Sequence, residues 1–359
     1  MTLTIFTPGR TELAGNHTDH QNGRILASAV DMGLYAAVEK NDDGVITIAS
    51  EGFEPFSVKL TSLSVLPKEF GTPKSLTRGM AASFKDYGLN VGGFTASVKS
   101  TLAAGSGLSS SAAFSVMIGR ILNVLYNNNE VDAVSIARSA QYAENEFFGK
   151  PCGLMDQLAC SLGHAVYVDF KTMEIDPIVA DFGAMGLKLS LTDTGGSHAG
   201  LDTSYGRIRQ DMVYIANLFS KGVLADVDEK DFFAKGWSVA DRPVRRAKHF
   251  FEENARVPLM RDALKSRDAD AYIRLMNESG RSSETQLNNI VTSATGDTKL
   301  QEGLELSASL LEGKGAWRVH GGGFAGCVQA LMPADFFDEY KSSMEARFGA
   351  GSCREIKLV

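Results

Sequence analysis

The chain has 359 residues, of which 44% are hydrophobic and 22% charged, and a formal net charge of -7. With a pI near 5.5 and a mean hydropathy of -0.08, it lacks the basic face that nucleic acid demands, and no apolar run approaches the roughly 20 residues that span a bilayer. The start MTLTIFTPGR lacks the basic-then-apolar layout of a signal peptide, so a cytoplasmic protein with small-molecule partners, no nucleic acid and no membrane is expected.

Residues 3–7 predict a strand ending at Pro8-Gly9, followed by the polar loop RTELAGNHTDHQNG, which closes on the turn signal Asn22-Gly23. RILASAVDMGLYAAVEK, VITIAS and FSVKL read as β-prone runs separated by turns, so the front of the protein is a sheet. A helix over 75–86 comes next. GGFTASVKS then alternates as a strand does, and Ala113, Val116, Met117, Gly119, Ile121, Leu122 and Leu125 recur at helical spacing. Ser109, Ser110 and Ser111 suit the cap and first turn of that helix.

Between this strand and helix lies AAGSG, without a bulky side chain to hold a ligand away from the backbone. The helix behind it presents N–H groups with no intrahelical partner, which makes an anion site. A nucleoside triphosphate is the commonest ligand of such a place, and serine hydroxyls there can reach a hard cation bridging its phosphates. It is not a Walker A loop, since no G-K-[ST] occurs.

A helix over 131–148 is stopped by Gly149 and Pro151, and PCGLMDQLACSLG begins a short helix at Pro151 with Asp156 in its first turns. The strand HAVYVDF precedes a relaxed stretch at 178–186, where a domain boundary is placed. Beyond it come the strand LKLSLTDTG and helices over 203–220, 241–255, 258–280 and 298–313. The tail reads as two strands joined by a glycine loop, AWRVHGGGFAGCVQAL, then a helix and a last strand. The fold class is α+β, with domains at 1–182 and 183–359. The four cysteines are too few and scattered for a disulfide framework, and neither they nor the six histidines cluster at metal-ligand spacing.

Three segments, GRTELAGNHTDHQNG, AGSGLSSSAAFSV and VHGGGFAGCVQAL, resemble in order the three signature motifs of the GHMP small-molecule kinases. The first loop is similar to that of the galactokinase branch, GRVNLIGEHTDYNGG. LASAVDMGLYAAV, AENEFFGKPCGLMDQ and RLMNESGRSS extend the likeness over nearly the whole chain. The resemblance implies a ribosomal-protein-S5-like N-terminal domain, a ferredoxin-like C-terminal domain and a site for ATP and a sugar in the cleft between them. The implied reaction passes the γ-phosphoryl group of ATP to the C1 hydroxyl of galactose. Other readings are a kinase for galacturonate or N-acetylgalactosamine, and a non-catalytic ATP and sugar sensor. A monomer is expected.

Carried over residue by residue, the resemblance makes Arg10 and Asp156 the catalytic pair. It places Asn16, His17, Asp19, Gly153 and Tyr205, with Glu12, at the sugar. Ala104, Gly105, Ser106, Gly107, Leu108, Ser109, Ser110 and Ser111 line the ATP, and Glu144 with Ser110 or Ser111 as its partner holds Mg2+. The chain departs from the pattern at Glu12 and Asn16, where the family has asparagine and glutamate, and at His320 and Ala325, where threonine and glycine are usual. The stretch SATGDTKLQ at 293–301 stands where the family more usually has C-P-E-L-D and has no assigned role.

Overall fold

The computed structural model describes residues 2–102, 107–196, 201–238, 241–291 and 296–359. It begins with a hairpin of two long strands, β1 (Leu3–Ala14) and β2 (Arg24–Lys40), antiparallel along their length. Against expectation β1 does not end at Pro8-Gly9. It has a strand partner on one side only, so the N–H that Pro8 lacks is not needed, and the register slips between Pro8 and Arg10 instead. That irregularity falls directly before Arg10.

β3 (Val45–Ser50), β4 (Phe56–Lys59), α1 (Pro73–Asp86), β5 (Phe94–Ser100) and α2 (Ser110–Tyr126) follow. The expected second helix splits into α3 (Ala133–Tyr142) and a π-helical turn, Ala143–Phe148, which Gly149 ends in the left-handed conformation. α4 (Met155–Leu162) starts four residues later than expected, because Cys152 N–H turns back to Asn145 Oδ1 at 2.7 Å and keeps 151–154 non-helical. β6 (Val166–Asp169) and β7 (Glu174–Pro177) complete a seven-stranded sheet in the order β4-β3-β5-β2-β6-β7, with β1 beside β2.

The second sheet uses β8 (Leu187–Asp193), then, after α5 (Asp202–Asn217), α6 (Glu229–Ala234), α7 (Arg242–Ser266), α8 (Ala269–Ser282) and α9 (Lys299–Leu311), the strands β9 (Ala316–His320) and β10 (Cys327–Pro333). α10 (Phe337–Phe348) and β11 (Cys353–Ile356) end the chain. The order β11-β8-β10-β9, all antiparallel, with helices after the first and third strands, is ferredoxin-like. Strands of the first sheet all lie between residues 3 and 177, those of the second between 187 and 356.

The two helices expected at 241–255 and 258–280 divide elsewhere. α7 runs through Pro258, because Val257, Met260, Ala263 and Leu264 keep one buried face continuous across it, and Arg267 in the left-handed region ends it. Burial on this scale outweighs the roughly 3 kcal/mol a mid-helix proline costs. The main apolar core joins both sheets, packing Leu13, Leu26 and Val30 in one cluster with Leu189, Leu331 and Ile356. Among the described residues no helix is long and apolar enough to cross a membrane.

Candidate active site

Arg10, Asp156 and the start of α2 meet at the hairpin's midpoint. Gly9 allows this approach, since a Cβ there would lie 2.8 Å from Leu108 O and 2.8 Å from Leu102 Cδ2. Arg10 Nε and Nη2 donate to the two oxygens of Asp156 at 2.7 and 2.8 Å, and Nη1 donates to Gly107 O at 2.7 Å. Ser109, the N-cap of α2, is left-handed, with φ 54°. Its hydroxyl therefore does not cap the helix as expected but donates to Asp156 Oδ2 at 2.5 Å. The N–H groups of the first turn are left to an incoming anion.

Burial by itself would push the Asp156 carboxyl up, but the Arg10 guanidinium and the Ser109 hydroxyl outweigh it and hold the group at about 2. Asp156 is therefore an anion at neutral pH. It lies at the second position of α4, with 27% of its side chain exposed.

Glu144, on the π-helical turn, is buried and accepts from Ser111 Oγ at 2.9 Å and Gln157 Nε2 at 2.6 Å, with Lys150 Nζ at 3.4 Å. Ser111 and Glu144 thus offer hard oxygen donors beside the N-terminus of α2, and Ser110 is exposed one residue earlier. Oxygen donors of this kind, completed by water and phosphate, are what magnesium takes. Ala104, Gly105 and Ser106 lie outside the described residues, as do 292–295, while Gly107 and Leu108 offer their carbonyls to Arg10.

In the first loop, Asp19 accepts the N–H of His20 at 2.8 Å and packs against Gly153, where a Cβ would fall 1.8 Å from Oδ2. Burial first, then the neighbouring Asp156 charge, pushes its carboxyl up to about 6. Tyr205, on α5, donates to Gly323 O at 2.9 Å and lies over Gly322.

His17 Nε2 lies 3.0 Å from Gly322 O and Nδ1 3.3 Å from His20 Nε2. A carbonyl only accepts, so Nε2 of His17 carries the proton and Nδ1 accepts from His20, whose own Nδ1 takes Gln21 Nε2 at 3.2 Å. Burial lowers His17 to about 4 and His20 well below its ordinary value, so both rings are neutral. His20 and Gln21 escaped the reading of the sequence, where nothing marked them off from other polar loop residues.

Asn16 and Glu12 face inward. Asn16 Nδ2 donates to Gly321 O at 2.7 Å and to both Glu12 oxygens at 3.3 Å. Its Oδ1 accepts from Ser283 at 3.3 Å and Asn289 at 3.1 Å. These five contacts use both N–H groups and both lone pairs of the amide, so none remains for a ligand. Glu12 is 1% exposed and paired with Arg318 at 3.2 Å, whose Nη2 also holds Glu12 O at 2.9 Å. Burial pushes the Glu12 carboxyl up to about 7 against the pull of Arg318 and Arg10. With Glu253 accepting Gly15 N–H at 3.0 Å and His249 bonded to Asn16 O at 2.9 Å, these residues form a buried polar seam between the first loop and the second half of the chain.

The helix start, the bidentate arginine and aspartate pair and the glycine loop on a ferredoxin-like second half agree with the GHMP kinase resemblance of the three motifs. A family model for the N-terminal domain of GHMP kinases matches residues 75–164, and one for the galactokinase galactose-binding signature matches residues 2–40. The galactokinase of Bacillus subtilis is 31% identical over 354 residues, covering 96% of this chain and 88% of the relative. That of Clostridium acetobutylicum is 30% identical over 360 residues, with the same coverage of each. The chain belongs to the galactokinase family. Its fold matches Lactococcus lactis galactokinase complexed with galactose at a TM-score of 0.87 and 21% identity, covering 99% of this chain and 93% of that one. Methanococcus jannaschii mevalonate kinase matches at 0.68 and 16%, covering 100% and 99%.

Proposed function

We propose that the chain transfers the γ-phosphoryl group of ATP to the C1 hydroxyl of galactose, giving galactose 1-phosphate and ADP. The observation that carries the mechanism is the Asp156 carboxylate, gripped by Arg10 and Ser109 at the N-terminus of α2. ATP phosphates sit at that helix start, along 104–111. Asp19, His17, Gly153 and Tyr205 border the sugar, and Glu12 and Asn16 support that wall from behind.

With a pKa of about 2, Asp156 is a weak base. In a loose transition state the attacking hydroxyl becomes strongly acidic only as its bond to phosphorus forms, so a weak base in the right place suffices. Asp156 therefore orients the C1 hydroxyl and receives its proton late, while Arg10 fixes the carboxylate's plane. Ser110, Ser111 and Glu144 would hold magnesium, which neutralises phosphate charge when bound. Domains at 1–182 and 183–359, a monomeric state and a cytoplasmic location complete the reading. A coupled assay of ADP release with galactose, galacturonate and N-acetylgalactosamine tests it. Turnover highest with galactose is expected, and no turnover with any of the three refutes the kinase.

A further inference from the structure

One buried polar atom beside α2 has no partner. His320, the last residue of β9, is 4% exposed, and its ring stands between β1 and Gly107. On the β1 side, Nε2 receives the Glu12 N–H at 3.3 Å and lies 3.0 Å from the Thr11 hydroxyl, which itself accepts from Gln329 Nε2. A backbone N–H only donates, so Nε2 is bare and the neutral ring carries its proton on Nδ1. Burial, then the Arg10 and Arg318 charges, oppose a second proton and keep the ring neutral.

Nδ1 is fully buried and without a hydrogen-bond partner among the described residues. It faces Gly107, where a Cβ would lie 3.0 Å away, and Gly107 offers its carbonyl to Arg10 rather than to the ring. An orphaned donor in a native interior calls for an absent acceptor. Gly107 leads into α2, whose first-turn N–H groups already favour an anion. A threonine, usual at this position in the resemblance, has one hydroxyl for both directions, whereas a histidine splits acceptor and donor between opposite sides of its ring.

We propose that His320 is a nucleotide-binding residue, its Nδ1–H donating to a phosphate oxygen of ATP at the N-terminus of α2 while Nε2 anchors β1. This rests on the ATP reading above. The test uses two amides on the full chain. His320→Asn keeps a donor near Nδ1 and loses the acceptor, whereas His320→Gln keeps an acceptor near Nε2 and loses the donor.

Calorimetry with ATP and, separately, with galactose reads both variants against the unaltered chain. His320→Gln should weaken ATP about tenfold, the scale of a lost bond to a charged group, and leave galactose within twofold. His320→Asn should hold ATP within threefold. Normal ATP affinity in His320→Gln, or an equal loss in both variants, overturns the assignment and makes the ring an anchor only. Absence of ATP binding by the unaltered chain overturns the nucleotide reading and this assignment together.

Discussion

Gly153→Ala places a methyl group where the structure has a carboxylate. The new Cβ would lie 1.8 Å from Asp19 Oδ2 and 2.2 Å from its Cγ, whereas Cβ atoms essentially never approach a neighbour closer than 3.0 Å. Asp19 must therefore withdraw by about 1.2 Å, and its bond to the His20 N–H stretches with it. A misplacement of about 1 Å in a positioning group can cost roughly 10²-fold, so kcat/KM for galactose should fall about a hundredfold, mostly in KM. ATP affinity, set at α2, should stay within twofold. Overpacking costs about 1–3 kcal/mol, which predicts a Tm lowered by a few degrees with the fold intact. Coupled ADP-release kinetics and thermal unfolding measure both effects, and Asp19→Asn combined with Gly153→Ala should be clearly non-additive. A kcat/KM within threefold of the unaltered chain would refute the assignment of Asp19 to the sugar.

Three further outcomes are expected. Asp156→Asn should lower kcat by about 10²- to 10⁴-fold with ATP affinity retained by calorimetry; near-normal turnover would remove Asp156 from the chemistry. Because Asp19 is raised to about 6 in the folded protein, its protonated form accumulates below that pH. Galactose kcat/KM should therefore drop about tenfold per pH unit on the acid side, a limb that persists in Glu12→Gln and vanishes in Asp19→Asn. Asn16→Glu sets a second carboxylate against Glu12 and should cost about 3 kcal/mol in denaturant unfolding, the scale of an unpaired buried charge. The exchange Glu12→Asn with Asn16→Glu should recover most of it, and a neutral single variant would show that the two side chains are independent.

The local residue pattern carries a great deal here. Helical spacing after residue 110, the alternation at 94–100, and the breaks at Asn22-Gly23 and at Gly149 with Pro151 set the elements in order, because those signals depend only on near neighbours. The loop of small residues before a serine-rich helix start likewise suggests a candidate anion site, an expectation that rests on backbone chemistry alone. Arg10 and Asp156 are different. They stand 146 residues apart, and only the slipped register of β1 and the late start of α4 turn them toward each other. The unbroken run of α7 through Pro258 and the π-helical turn at 143–148 depend on which face is buried, which no local window contains. Asn16 and Glu12 show the same limit at the site: as residue types they look like sugar ligands, and it is Arg318, Ser283, Asn289 and Gly321, all more than 260 residues away in sequence, that use up their hydrogen bonds. The protonation of His17 and of His320 was decided in the same way, by a carbonyl of the third loop and an N–H of β1 that lie next to them only in the folded chain.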